Sequence, residues 1–275
     1  MEKTSVLVQD AKGNSFGKVS RLSLTAAAGE GRTILKDVYF TAPYKIMHPF
    51  PNADGSIQVM LLSASAGIMA GDRQEFDLNI EEGASMEFVS QSYEKIHQMI
   101  EGHARRQVHV HVAPNASFCF HPQPTIPFAG SAFENRMRID LEDETSEFRM
   151  CEIFSCGRSA RREYFAYRFY HSLTEIYRSG TIIYRDNTRY DPSVFDMSGM
   201  GMYESHTHLA SLFLTRPKEP SRALDQIRTY LEEQEDVEGA ATMLAQGDLA
   251  VRILGGRAQR LEELSSHILC LGSQV

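Results

Sequence analysis

The sequence lacks any apolar run long enough to cross a bilayer. Its richest, residues 59–70 (VMLLSASAGIMA), is short and holds Gly67, well under the roughly 20 residues a membrane helix needs. The opening MEKTSVLVQDAKGN has no apolar core of the kind a secretory leader carries, so a cytoplasmic location and no membrane contact are expected. Cysteine is scarce, four in 275 residues without regular spacing, which argues against a disulfide scaffold. Cys151 and Cys156 stand five apart, outside the usual C-x2–4-C ligand window. On a strand, that odd spacing would turn them to opposite faces. Basic charge is in deficit, with 28 Lys and Arg against 36 Asp and Glu, so no broad positive face for nucleic acid is expected. Also missing are HExxH, a nucleophile elbow, an ordered Ser/His/Asp set and the G-x-x-x-x-G-K-[ST] phosphate loop. No catalytic residue stands out.

What is there is ordinary globular composition, 42% hydrophobic, enough for a core. Three segments read as variants of one unit: FDLNIEEGASMEFVSQS from Phe76, VHVHVAPNASFCFHPQ from Val108, and RIDLEDETSEFRMCE from Arg138. Each is an alternating strand, a small or acidic turn, and a second alternating strand. Ser85, Ser117 and Ser146 mark equivalent points, about thirty residues apart. Met86, Phe88, Phe118, Phe120, Phe148 and Met150 are expected to point inward. Such a unit buries its apolar face only by stacking on its neighbours. The expectation is a mainly β, stacked-sheet, irregular β-helix-like body, with a β-sandwich of hairpins as the alternative. If the units stack, QSYEKIH, HPQPTIPFAG and CEIFSCGR emerge along one edge, and chemistry or docking concentrates there.

Strands are expected again from Ser172 to Arg185 and from His206 to Thr215, with DNTRYDPSVFDMSGMG between them as a turn-rich surface loop. The C-terminal part differs. Pro220 and Ser221 open an amphipathic helix with Leu224, Ile227 and Leu231 on one face. Strands near residues 240–244 and 249–254 follow, then a helix using Leu261, Leu264, Ile268 and Leu271. The division is a β body over residues 1–216 and a small α+β portion with two helices, residues 217–275, packed on it. The first of these helices and the loop, with Leu212 and Phe213 nearby, are candidate docking surfaces.

His109 and His111 alternate with Val108, Val110 and Val112 and so share one strand face, with His121 expected in the same layer. Imidazoles suit Ni or Zn, but the pattern equally describes a solvent-facing strand. His206 and His208 form a second such pair. Asp72 follows the glycine-bearing SASAGIMAG and either caps that turn or serves function. PQPTIPF packs three prolines into seven residues. That excludes an ordinary central strand and leaves a rigid docking surface or an edge-protecting loop. In MCEIFSCGRSARREYF, Glu152 and Arg158 suggest an ion pair, buried or at the surface.

SASAGIMAGD, SQSYEKIH, PQPTIPFAG and EIFSCGRSARRE, with YFTAPYKIMHPF at residues 39–50, occur in the order and at the distances seen in the UreD/UreH family of urease accessory proteins. The chain resembles that family from about residue 33 to about residue 265, closest to its UreH branch. The resemblance implies an irregular β-helix without enzymatic activity. It implies a scaffold that binds a UreF-type protein, recruits a UreG-type GTPase through it, meets apo-urease in a dimer of heterodimers, and passes Ni2+ transiently without a tightly bound cofactor. Carried over by position, Asp72 matches the Gly-Asp motif, and Tyr93, Glu94 and Lys95 the post-strand segment. Gln123, Pro124, Thr125 and Pro127 match the proline motif. Glu152, Gly157, Arg158, Arg161 and Glu163 match the E…GR-x-x-R-x-E pattern. Asp72, Glu94, Glu152, His109 and His111 become candidate stations for the ion, a weak series suited to transit, and the others are structural or partner positions. The family often has glycine where Arg162 stands, so a left-handed turn there is expected to differ. Ser65 and Ala66 replace a common Pro and Gly. A metal-dependent hydrolase on a β-helical scaffold, using His109, His111 and a carboxylate, is the competing reading.

Overall fold

A computed structural model describes residues 19–274; the opening stretch read as lacking a leader lies outside the described residues. The chain forms two large sheets. The first, sheet A, is ordered β15-β14-β12-β9-β6-β1-β2. Its strands are β1 (Val19–Gly29), β2 (Arg32–Phe40), β6 (Arg73–Ile80), β9 (Ala104–Val112), β12 (Ala132–Leu141), β14 (Phe169–Arg178) and β15 (Thr181–Tyr190). Sheet B is ordered β17-β18-β16-β13-β10-β7-β5-β3. It holds β3 (Tyr44–Ile46), β5 (Ile57–Ser63), β7 (Ser85–Ser90), β10 (Ser117–His121), β13 (Glu147–Ser155), β16 (His208–Leu214), β17 (Val237–Met243) and β18 (Leu249–Gly255), with β4 (Phe50–Pro51) on the flank of β5.

The stacking is that of an irregular β-helix. The chain passes from β6 to β7, from β9 to β10 and from β12 to β13, and like strands pair in parallel: β6 with β9, β9 with β12, β7 with β10, β10 with β13. A third, narrow edge closes each coil. There β8 (Glu94–Ile96) pairs with β11 (Thr125–Pro127), which touches β13 at Phe154. Ile68 bridges to Ile96 one coil earlier. The three segments expected along a common edge therefore do lie along one, and the thirty-residue period is explained by this third side.

Within the coils, two expectations need correction. The register partner of Ser117 is Ser85 on one side and Glu147 on the other, so Ser146 is one residue early. The extra acidic residue in its turn absorbs the slip, and Met86, Phe118 and Phe148 still align and are buried. The proline segment does form a strand with neighbours on both sides. Its geometry explains the tolerance. The Phe128 N–H donates to the Ile96 carbonyl, 2.9 Å, so the nitrogen of Pro127 faces the β13 side, where pairing stops at Thr125. The missing donor falls at an unpaired position, as prolines in sheets require.

The later elements follow the expected alternation and periodicity. α1 (Pro220–Glu232) buries Ala223, Leu224, Ile227 and Leu231; α2 (Ala258–Gln274) buries Leu261, Leu264 and Ile268. Both lie on the outer face of sheet B, over Ile153, Leu212, Val251 and Ile253. Sheet B runs unbroken from β13 through β16 into β18. The polar loop begins later than expected, because residues 186–190 belong to β15, and its Met197 is a core residue, as is Tyr203 just beyond it. Leu212 and Phe213 are also buried and offer no docking patch.

Candidate functional site

Alternation in sheet A fills the interior with aliphatic rows such as Leu78, Val110, Ile139 and Ile176, all fully buried. Four residues along the same strands, the row changes character. Gln74, Arg106, Asn135, Ser172 and Thr188 stand side by side in register. Sheet B answers with Glu152, Ser211 and Arg252, also adjacent. Glu152 is directed inward because its neighbours Cys151 and Ile153 pack outward under the helices. A polar layer thus crosses the molecule. On one side is the large inter-sheet core containing Phe76, Val108 and Met150; on the other is the edge cluster containing Phe133, Phe154 and Tyr170.

At one end the layer opens into a cavity of about 450 Å3 lined by Asp72, Gln74, Glu94, Arg106, Glu152 and Tyr170. Its walls are the segments after β5, β7 and β10, including Tyr93, Lys95, Gln123 and Thr125. Gly67 is needed in this wall: its φ is +145°, and a Cβ there would overlap the Lys95 carbonyl. Asp72 partly caps its turn, accepting from the Met69 N–H at 2.8 Å. Arg106 pairs with Glu94 and donates to Gln74 Oε1 at 2.8 Å. Tyr93 donates to Glu262 of α2 at 3.0 Å, tying the cavity rim to that helix. Farther along, Asn135 donates to Ser172 at 3.1 Å. Arg252 bridges the two sheets by holding Ser211 and Asp186, and beyond it shallow recesses reach the surface beside Tyr184, Thr188 and Tyr190.

Electrostatics single out Glu152. It meets only the cavity and is otherwise enclosed by protein. Burial pushes its carboxyl up to about 7, with Arg106 opposing and Asp186 and Glu94 reinforcing. Burial alone would depress the Arg106 guanidinium, but Glu94 and Tyr44 outweigh it and hold it above its ordinary value. Two buried polar atoms near this layer, the Tyr44 hydroxyl and Asn135 Oδ1, have no hydrogen-bond partner among the described residues. Polar atoms of that kind are places for water or an ion.

The sequence-nominated residues separate into three groups. Asp72, Glu94 and Glu152 share the cavity. His109 and His111 stand on the outer face of sheet A, His109 3.0 Å from Asp140 and His111 3.4 Å from Glu142, each in contact with solvent. His121 is in sheet B and does not join them. Arg158 does not pair with Glu152. It grips Glu163 instead, Nε to Oε2 2.7 Å, and lies 4.0 Å over the Phe128 ring. The reason is topological: Glu152 turns into the stack, whereas Gly157, with φ +137°, folds the chain back outside it. Glu163 accepts from the Ala129 N–H at 3.3 Å, so this loop braces the proline segment, with Pro124 and Pro127 buried beneath and Arg161 exposed. Arg162 takes the left-handed conformation, φ +59°. A left-handed turn therefore forms here without a glycine, with arginine bearing a strain of about 1 kcal/mol.

Sequence reasoning missed Gln74, Arg106, Asn135, Asp186 and Arg252. Their signal was a polar residue at an inward position of an alternating strand, Arg106 between Ala104 and Val108 above all. Among the described residues, no three His, Cys, Asp or Glu side chains group to hold one metal ion, and no helix is long and apolar enough to cross a membrane.

Fold and site together define a β-helical protein with a polar layer through its interior. The profile of the UreD urease accessory protein family matches residues 18–273, and the chain belongs to that family. It is 38% identical over 252 residues to the urease accessory protein UreD of Acetivibrio thermocellus, covering 91% of this chain and 96% of the relative. To the urease accessory protein UreH of Helicobacter pylori strain G27 it is 36% identical over 264 residues, 95% and 98% of the two chains. To UreD of Flavobacterium johnsoniae it is 29% identical over 247 residues, 88% of each.

Proposed function

We propose that this chain is a non-enzymatic scaffold in nickel delivery to urease, and that the polar layer carries the ion. In this reading it binds a UreF-type protein, which brings a UreG-type GTPase, and it presents its cargo to apo-urease in a cytoplasmic dimer of heterodimers. One observation carries the reading: Asp72, Glu94 and Glu152 line a single cavity that opens to solvent, without converging on one point. Separated carboxylates bind a borderline cation weakly, and transit needs weak sites in series. Glu152 is the middle station, and the Asp186–Arg252 pair stands where the layer reaches the far surface. His109 and His111 play no part in this route. Tyr93, Lys95, Gln123, Thr125 and the loop braced by Arg158 and Glu163 hold the cavity wall or its partner.

The test is urease activation in a complex reconstituted from purified subunits. Glu152→Ala is expected to cut activation at limiting nickel at least tenfold while leaving complex assembly intact on a sizing column. Undiminished activation removes Glu152 from the route. Loss of assembly instead assigns it a structural part.

A further inference from the structure

The charges of the polar layer are unevenly matched. Glu94, at the cavity, is paired with Arg106, and Asp186, at the far end, is paired with Arg252. Glu152 stands in the row that runs through Ser211 to Arg252, and among the described residues it makes no ion pair. Both matched carboxylates act on it electrostatically. A bare acid thus neighbours two acids that each already hold a cation. Each guanidinium is also braced by a neutral side chain beside it in the register. Arg106 donates from Nε to Gln74 Oε1 at 2.8 Å, and Arg252 holds Ser211. The Arg106 Cζ lies 5.3 Å from the centre of the Phe76 ring and 5.6 Å from that of Phe133, distances at which an aromatic ring attracts a cation.

Arginine cannot leave such a place by losing its proton; it can only move. What Arg106 would leave behind is a cation site. The Glu94 carboxylate and Gln74 Oε1 would both lose their donor, and the Tyr44 hydroxyl, buried in the same cavity, has no hydrogen-bond partner among the described residues. All are oxygens, ligands that suit a hydrated divalent cation. We infer that Arg106 and Arg252 are gates of the layer, each filling a cation's place until an incoming divalent ion displaces it. The empty chain therefore binds such an ion weakly, because entry must first take a carboxylate from a guanidinium. The same competition keeps the layer from becoming a trap, since the returning arginine expels the ion it admitted. The inference rests on the reading of this layer as the ion's route and concerns what regulates entry to it.

The experiment is calorimetric titration of the purified chain with Ni2+ alone. Arg106→Gln keeps a polar group beside Gln74 but removes the charge, and is expected to bind Ni2+ roughly tenfold more tightly than the native chain. Adding Glu94→Gln to that variant is expected to abolish the gain. Arg105→Gln removes the same charge from the outer face of sheet A, where that side chain is exposed, and is expected to change affinity by less than about twofold. Should Arg106→Gln fail to fold, Arg252→Gln, at the less enclosed of the two pairs, stands in for it, with a gain of about threefold expected. A folded variant that binds no more tightly than the native chain overturns the inference. So does a gain that Arg105→Gln matches, or one that survives the loss of Glu94. None of these results touches the route itself, which the Glu152→Ala activation assay decides. Tighter binding by Arg106→Gln beside undiminished activation by Glu152→Ala upholds the gates while the proposed route fails at Glu152.

Discussion

Two rows of the same five strands, four residues apart, behave in opposite ways. Leu78, Val110, Ile139 and Ile176 with Tyr184 make a dry row that holds the sheets together. Gln74, Arg106, Asn135, Ser172 and Thr188 make a wet one, whose Gln74 and Arg106 line the cavity. The backbone is the same in both, so the difference lies in side chains alone. Its lesson is that the stack is stable enough to carry one layer built against the apolar rule, the kind of local violation that proteins in general accept at functional places.

The sharpest contrast comes from removing volume from the dry row. Ile139→Ala is expected to cost about 4 kcal/mol in urea unfolding, since the side chain is fully enclosed and the pleat cannot collapse around the gap. In the wet row a deletion acts through charge. Arg106→Leu leaves Glu94 without its partner and is expected to cost about 3 kcal/mol at neutral pH. Leucine at both positions is expected to recover most of that loss. If the double variant is no more stable than the single one, the pair is not what holds the layer.

Glu152 gives the smallest effect and the one with a reversed sign. Its carboxyl rises from 4.5 to about 7 on folding. The folded chain therefore keeps a proton that the unfolded chain releases between those values, and stability falls as pH rises through that window. Glu152→Gln is expected to remove this slope and to leave the variant about 2 kcal/mol more stable than the native chain at pH 8. A parallel pair of melting-temperature curves from pH 4.5 to 8 would refute it.

Much of this architecture was legible in the alternation of the strands. Period-two patterning placed Met86, Phe118 and Phe148 inside, and helical periodicity found both helices. Turn lengths were harder: the acidic turn before β13 hides a one-residue slip, because nothing in Asp143, Glu144, Thr145 and Ser146 marks which of them pairs. The candidate site was legible only as separate motifs. Asp72, Glu94 and Glu152 lie in three different coils, and only stacking brings them together. Arg106 and Asp186 were missed because each belongs to no motif and looks polar in a segment rich in polar residues. Glu152 was assigned the wrong partner because nearness in sequence to Arg158 says nothing about which side of a strand each leaves.

Arg178, almost wholly enclosed, meets Asp248 with Nη2 2.6 Å from Oδ1, and that carboxylate also receives the Arg216 N–H at 2.8 Å. The partner of this guanidinium lies seventy positions downstream. During synthesis from the N-terminus, every coil can wind before Asp248 has been made, but the far end cannot be sutured. A nascent chain cut short of that point carries a guanidinium bound for the interior whose remaining acidic contact is the exposed Glu144, 3.8 Å away. Joining distant positions is the slow step in building β architectures, so closure of this molecule waits on almost its last strand.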